Sequence, residues 1–221
     1  MTLAARVRAM SVLALVPMLA LGLSSCATAT GKPAPAAPAP QAAPATEAVR
    51  ILVAYHSRSG NTEQMAQAVA EGIRRVPGAV AVVKKVETVE KADLEAADGL
   101  VLGSPTYFAD VSGTMKLAID DWNWKMKVDF TDKVGGAFST GGGQSGGKEH
   151  VIVSLLLFMI NNRMVVAGPL YQDADGDDKW AELGASAMTG PLDPGVSDQE
   201  RHAARLLGQR IARLATKIKG Q

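Results

Sequence analysis

The sequence predicts a doubly wound α/β domain with a parallel sheet, and two observations predict it. Short apolar runs at residues 49–55, 80–86, 99–103, 134–138 and 163–167 are typical of buried strands. A predicted helix follows each run, and three of these helices have the apolar stripe of an amphipathic helix. This alternation, with short crossovers, predicts five parallel strands with helices on both faces of the sheet.

Each helix is predicted by its own pattern. Met65, Val69 and Ile73 recur at four-residue spacing, and Leu207 and Ile211 mark the closing helix in the same way. The first predicted helix ends near residues 77–78, the others span residues 91–97, 113–122, 150–160 and 198–217, and residues 168–196 are predicted to be rich in loops. The helix at 150–160 is apolar on nearly every side, which favours a homo-oligomer.

The first 25 residues are typical of a targeting segment. Arg6 and Arg8 precede an apolar run over residues 10–23, which is too short to span a membrane as a helix. The run ends in Leu23-Ser24-Ser25-Cys26, which resembles the lipobox of bacterial lipoproteins and holds the only cysteine. Residues 1–25 are therefore predicted to be a lipoprotein signal peptide, with Cys26 the lipidated residue. The alternative is a secretory signal with an incidental cysteine.

Residues 26–48 are predicted to form a tether between the lipid and the folded domain. This stretch is rich in alanine and proline and nearly free of charge, which favours an extended chain. The domain then occupies residues 49–221. Resemblance to sorted lipoproteins, with Ala27 after the cysteine, implies the cell envelope, at the outer membrane facing the periplasm.

Composition and spacing exclude several classes of site. A net charge of +1 does not support nucleic-acid binding, and one cysteine excludes disulfide frameworks and multi-cysteine metal sites within a chain. The acidic run at residues 173–178 invites comparison with a calcium loop. Its glycine stands at the fourth place instead of the sixth, and Gly184 occupies the twelfth place, where a glutamate is needed. A solvated acidic loop is therefore the favoured interpretation.

The loops after strands one, three and four are the expected ligand site, because doubly wound sheets bind ligands at the carboxyl ends of their strands. Residues 57–62 join a strand to a helix start and carry hydroxyl and amide donors, with Gly60 allowing a close turn. The loop has no lysine and no triphosphate-binding pattern. It suits a monophosphate, and the alternative is a helix cap rich in serine and threonine.

Three motifs carry a resemblance to a known family. Residues 55–62 resemble the phosphate loop of flavodoxins, residues 104–108 their Pro-Thr-aromatic loop, and residues 139–144 their glycine-rich loop. The family most similar to all three is the WrbA-type NAD(P)H:quinone oxidoreductases, and the resemblance covers residues 49–219. It implies a flavodoxin-like fold with strand order 2-1-3-4-5 and FMN as the cofactor.

The resemblance also implies which residues bind FMN. They are Ser57, Arg58, Ser59, Gly60, Asn61 and Thr62 in the first loop, Pro105, Thr106, Tyr107 and Phe108 in the second, and Ser139, Thr140, Gly141, Gly142 and Gly143 in the third. Trp122 or Trp124 is a further candidate to lie against the flavin ring, although packing in the core or at an interface is favoured for both.

The implied activity is two-electron reduction of a quinone by NAD(P)H through FMN. The alternatives are a membrane-tethered electron carrier that serves a redox protein partner, and a non-catalytic interaction protein on the same fold. Family members commonly carry a histidine pair where this chain has Asn161-Asn162, so the proton donor is unassigned. His56, at the end of strand one, is a candidate without further support. An envelope location also favours the carrier, because NAD(P)H is not expected outside the cytoplasmic membrane.

Overall fold

The computed structural model describes residues 47–172, 178–190 and 195–220. The predicted signal peptide, Cys26, most of the tether and residues 173–177 of the acidic run lie outside the described residues. The strands are β1 (Val49–Tyr55), β2 (Ala79–Lys85), β3 (Gly99–Tyr107), β4 (Asp110–Val111), β5 (Val134–Gly141), β6 (Val165–Val166), β7 (Leu170–Gln172), β8 (Asp178–Ala181) and β9 (Ala185–Met188). The helices are α1 (Asn61–Arg74), α2 (Lys91–Glu95), α3 (Gly113–Trp124), α4 (Lys148–Asn161) and α5 (Asp198–Lys219).

The central sheet has the order β2-β1-β3-β5-β6, with every neighbouring pair parallel. Since β5 is the fourth of the predicted strands, the predicted order 2-1-3-4-5 is confirmed. Ile51 pairs with Gly99, and Gly99 pairs with Val134, so the three central strands start nearly level. Their carboxyl ends therefore meet at one edge of the sheet.

The fifth position of the sheet differs from the prediction, because two separate segments fill it. β6 pairs only with the amino end of β5, through Val134 and Val165. β9 pairs with the carboxyl half of β5, through Phe138 and Ala185. The predicted strand at 163–167 is thus shorter, since Pro169 follows it and cannot donate to a ladder, and the stretch predicted as loops holds the β7–β8 hairpin and β9.

Two separate cores cover the two faces of the sheet. Alternate residues of β1 point to opposite sides, because side chains alternate along a strand. Ile51 and Val53 join the core of the α1–α5 face, whereas Leu52 and Ala54 join the core of the α3–α4 face. Within the described part of the chain, every helix is too short or too polar to cross a membrane.

Candidate flavin site

The three predicted loops lie side by side at the carboxyl edge of the sheet. In the structure they correspond to the phosphate loop (residues 57–62) after β1, the second loop (residues 105–111), which includes the end of β3 and β4, and the third loop (residues 141–147), which starts at the last residue of β5. Two hydroxyl contacts link them: Thr62 Oγ1 lies 2.9 Å from Thr140 Oγ1, and Thr106 Oγ1 lies 2.9 Å from Ser139 Oγ. The structure therefore brings together residues that are up to 86 positions apart, from Ser57 to Gly143.

The phosphate loop ends in a helix start that no side chain caps. Gly60 adopts a left-handed conformation, with a φ of 94°, directly before α1. The serines satisfy the loop itself, because Gly60 N–H donates to Ser57 Oγ (3.1 Å) and Asn61 Nδ2 donates to Ser59 Oγ (3.2 Å). The alternative of a plain serine or threonine cap is therefore wrong. The dipole and backbone N–H groups of an uncapped first turn favour an anion.

The solvent exposure of the phosphate loop changes along its length. Arg58 and Ser59 are exposed, whereas Asn61 and Thr62 are buried. Arg58 therefore stands at the rim, where its charge would meet a bound anion from the solvent side. Thr62 lies beneath the loop and bonds to Thr140, so its main visible role is to tie α1 to the end of β5.

The second loop is a tight hairpin between β3 and β4. Thr106 pairs with Val111, and Tyr107 pairs with Asp110, which leaves Phe108 and Ala109 as the turn. Both turn residues have positive φ, 51° and 66°, a conformation that residues other than glycine rarely adopt. Such strained backbone persists only where its surroundings hold it, and it is concentrated at binding sites. Phe108 is fully exposed at the tip.

Several predicted site residues lie within the strands, because β3 and β5 are longer than expected. Pro105 is buried near the end of β3, and Ser139 and Thr140 are buried near the end of β5. The Ser139 hydroxyl donates to Ser104 O (3.0 Å). The hydroxyl groups of Ser139 and Thr140 thus hold the neighbouring loops in place.

The third loop is held closed by Lys148, which sequence reasoning missed. Lys148 is only 4% exposed, and its Nζ donates to Gly143 O (2.6 Å) and Gln144 O (3.2 Å). Gly147 has a φ of 96°, and a Cβ there would lie 2.7 Å from Ala109 Cα. The third loop therefore packs its backbone on the turn of the second loop. A lysine at a helix start usually indicates a solvated residue, so the sequence carried no signal for this role.

Glu200 secures β9 beside the third loop. Its carboxylate accepts the N–H groups of Met188 (2.6 Å) and Ser197 (2.7 Å), while Thr189 N–H donates to Gly141 O (2.9 Å). Burial alone would raise the pKa of Glu200, but these hydrogen bonds and the nearby charge of Lys148 lower it below its usual range. The carboxylate is therefore ionised at neutral pH and fixes the start of α5 to the sheet.

Other sequence candidates lie away from the three loops. Asn161 and Asn162 lie at the end of α4, and Arg163 O accepts the N–H of Asp132 at the amino edge of the sheet (3.1 Å). A side chain at 161 or 162 is therefore at the edge opposite the loops of its own chain. Trp122 is buried in the core of the α3–α4 face, and Trp124 is largely exposed. Trp122 thus serves packing, as the sequence favoured.

The described residues hold no metal-binding cluster. No group of three or more histidine, cysteine, aspartate or glutamate side chains within the described ranges could hold an ion. The loops instead offer hydroxyl groups, glycine backbone and one uncapped helix start. This neutral donor set fits a flavin mononucleotide: a single phosphate on the first loop, and a planar polar ring against the backbone of the other two.

Comparisons with known proteins decide the family. Residues 81–175 match the family model described as NADPH-dependent FMN reductase. A flavodoxin of Aquifex aeolicus is 37% identical over 163 residues, covering 74% of this chain and 85% of its own. An NAD(P)H dehydrogenase (quinone) of Gluconacetobacter diazotrophicus is 35% identical over 197 residues, covering 76% and 98%. The chain belongs to the flavodoxin-like FMN reductase family.

Solved structures agree with this assignment. The WrbA-like flavodoxin of Agrobacterium tumefaciens has a TM-score of 0.59 at 26% identity, and the match covers 77% of this chain and 99% of that one. Flavodoxin 1 of Bacillus cereus has a TM-score of 0.57 at 19% identity, which shows the shared fold. The protein is an FMN-binding oxidoreductase of the family that contains flavodoxins and NAD(P)H dehydrogenases (quinone).

Proposed function

We propose that the protein transfers two electrons from NAD(P)H to a quinone through FMN held by the three loops. The observation that carries this proposal is the convergence of these loops, tied together by the Thr62–Thr140 and Thr106–Ser139 contacts. Relatives 30–35% identical, and almost fully covered, are named NAD(P)H dehydrogenase (quinone). Bound FMN would supply the hydride-accepting chemistry, and the chain would supply binding and orientation.

Each loop has a distinct part in this proposal. The backbone of residues 57–62 and the serine hydroxyl groups would hold the phosphate, with Arg58 at the rim. The backbone near Tyr107 and the glycines at 141–143 would border the ring. Phe108, fully exposed at the turn, would lie where a nicotinamide or a quinone approaches. With no acid at residues 161–162, the reaction would depend on positioning more than on a protein proton donor.

We also propose that the protein is lipid-anchored at Cys26 in the cell envelope, at the outer membrane facing the periplasm. The lipobox-like Leu23–Cys26 segment and the proline-rich tether support this location. Cys26→Ser should release the protein from the membrane fraction, measured by fractionation and by incorporation of labelled palmitate. A Cys26→Ser chain that still partitions with membranes would contradict the anchor.

The envelope location supports a second candidate, a tethered electron carrier that serves a redox protein. The flavodoxin relative at 37% identity supports it as well. In this case no nicotinamide would reduce the protein directly, and the exposed Phe108 and loop rim would meet a protein partner. A homo-oligomer is part of either candidate, supported by Leu157 and Ile160 of α4, which are 58% and 54% exposed.

One experiment separates the two candidates. The full chain is purified in detergent, loaded with FMN and mixed anaerobically with NADH or NADPH, and bleaching of the flavin absorption is followed before benzoquinone is added. The enzyme is supported if either nicotinamide bleaches the flavin and the quinone restores its colour. A yellow protein that dithionite reduces and neither nicotinamide bleaches would overturn the enzyme and leave the carrier. Thr216→Val, on the far end of α5, is the control for variants in the loops.

A further inference from the structure

His56 stands at the junction between the strand that carries the phosphate loop and the second loop. It directly follows β1 and directly precedes Ser57. Its backbone N–H donates to Gly103 O (3.0 Å), so its backbone is fixed against β3. Its side chain is only 12% exposed. The imidazole is therefore held in place by the surrounding fold, whereas the side chains of His150 and His202 are exposed.

Three elements contact the imidazole. Nδ1 lies 3.0 Å from Ser112 Oγ, at the start of α3. The ring packs edge-on against Tyr107 of the second loop, with centroids 6.0 Å apart and planes at 88°. Nε2 lies 4.0 Å from Glu87 Oε1, on the short turn after β2. Nδ1 and the Ser112 hydroxyl group therefore form a hydrogen bond, whose direction is set by the tautomer of the ring.

Ser112 is the point where the second loop returns to the fold. Its Oγ accepts Met115 N–H (3.3 Å) and so caps α3. Its own N–H donates to the buried Ser104 Oγ (3.0 Å). The strained turn at Phe108 and Ala109 lies between these two anchored serines. The His56–Ser112 bond therefore joins the end of the second loop to the residue that starts the phosphate loop.

We propose that His56 is a positioning residue for the flavin ring. By fixing Ser112 and packing on Tyr107, it holds the second loop in register with the phosphate loop, so that the phosphate and ring sites form as one unit. This inference rests on the proposed placement of FMN in the three loops. It assigns a role to the one partly buried histidine of the described chain, and no nicotinamide or quinone enters into it.

The test measures flavin binding by the apoprotein, without turnover. His56→Phe keeps an aromatic ring against Tyr107 and removes the bond to Ser112, whereas His56→Asn places an amide near the position of Nδ1. FMN and riboflavin are titrated separately, and fluorescence quenching and the visible absorption spectrum are recorded. His56→Phe should bind both flavins about tenfold more weakly, the value of one hydrogen bond, with a spectrum closer to free flavin. His56→Asn should remain within about threefold of the native chain.

Two comparisons make the inference falsifiable. Ser112→Ala should lose about as much affinity as His56→Phe, and the double variant should lose little more, because both changes remove the same bond. His202→Phe, an exposed histidine on α5, should bind like the native chain. If His56→Phe fails to fold, Ser112→Ala carries the same test, with His56→Asn as the variant expected to bind nearly as well as the native chain. Native affinity and spectrum for both His56→Phe and Ser112→Ala, full additivity in the double variant, or a loss confined to FMN would overturn the inference.

Failure of the positioning role of His56 can be distinguished from failure of the proposed function. A native chain that binds FMN and is not bleached by NAD(P)H overturns the enzyme, while the His56 variants still decide the positioning role. A bleachable native chain whose His56→Phe variant binds both flavins equally well overturns the positioning role alone. A native apoprotein that binds neither flavin overturns both.

Discussion

The two faces of the sheet are built in different ways. On the α1–α5 face the two helices meet backbone to backbone. A Cβ at Gly72 would lie 2.0 Å from Arg205 O, and a Cβ at Gly208 would lie 2.0 Å from Val69 O. Neither contact can relax unless a whole helix moves. The glycines on this face therefore fix how closely α1 and α5 approach.

On the α3–α4 face the contacts are made by large, adaptable side chains. Trp122, Phe130 and Met115 are fully buried there. A Cβ at Gly135 would meet only the thioether ends of Met159 (2.6 Å) and Met164 (3.1 Å), which can turn aside. The phosphate loop leads into a helix of the rigid face, whereas the second and third loops lead into helices of the adaptable face. The phosphate loop is therefore attached to the face that is fixed by backbone contacts, and the other two loops are attached to the face whose side chains can adjust.

The largest expected effect comes from Gly208→Ala. Alanine normally favours a helix over glycine by about 1 kcal/mol, but here its methyl group would collide with Val69 O. We expect the free energy of unfolding to fall by about 3 kcal/mol or more, measured by urea denaturation. A variant as stable as the native chain would contradict the claim that the backbone contacts on the α1–α5 face cannot relax.

Thr62→Val tests the hydroxyl contact between the start of α1 and the end of β5. The change leaves the buried Thr140 hydroxyl without its partner 2.9 Å away, so unfolding should become easier by about 2 kcal/mol. The double variant with Thr140→Val should recover part of this loss, because no buried hydroxyl then remains unpaired. FMN affinity, measured by fluorescence titration, should fall in both variants. If Thr62→Val keeps the stability of the native chain, the Thr62–Thr140 contact contributes nothing to the free energy of unfolding.

Gly135→Ala makes the same glycine-to-alanine change as Gly208→Ala, but on the α3–α4 face. Here the added methyl group meets two flexible methionines, so the expected loss is only about 1 kcal/mol. Urea denaturation of Gly208→Ala and Gly135→Ala under one condition gives the comparison directly. Equal losses would mean that the faces do not differ in adaptability.

The smallest expected effect is the pH dependence carried by Glu200. Its folded pKa lies below the usual range, so its stabilisation is fully present above the unfolded pKa and is lost as pH falls through the lowered folded value. We expect less than about 1 kcal/mol, because the group is only partly buried. Protection of the Met188 amide from hydrogen exchange should drop on acidification in the native chain. In Glu200→Gln it should be low at every pH, and equal acid sensitivity of the two chains would contradict the assignment.

The three central strands and their common carboxyl edge were predictable from the sequence, because both follow from strong local patterns, whereas the strand order was implied by the resemblance to flavodoxins. The runs that became β1, β3 and β5 are long and apolar, and parallel strands must end at a common edge. β9 was not predictable, since Ala185-Ser186-Ala187-Met188 has none of the β-branched or aromatic residues typical of strands. It is a strand because β6 pairs only with the start of β5, and the backbone of the carboxyl half of β5 needs a hydrogen-bonding partner.

The supporting residues of the site were harder to predict than its loops. His56 bonds to Ser112, 56 positions along the chain, and a single polar residue has no periodicity to reveal such a contact. Lys148 bonds to carbonyl groups only four and five positions away, but a lysine at a helix start usually indicates a solvated residue. Asn161 and Asn162 stand where family members commonly carry a histidine pair. The chain reaches the carboxyl edge only after strand five, so these residues lie at the edge opposite the three loops of their own chain.

The way the chain enters the domain has a mechanical consequence. Lys219 donates to Ala48 O (3.3 Å) and pairs with Asp98 (3.0 Å), while Arg50 N–H binds the same carboxylate (2.8 Å). Tension from the upstream residues would therefore be shared with α5 and then pass into β1, which is hydrogen-bonded along its length to β2 and for most of it to β3. Such a central strand resists shear along many bonds at once. The carboxyl edge with the three loops lies roughly 20 Å away at the other end of this strand, so a pull on the residues before Val49 would leave that edge undistorted.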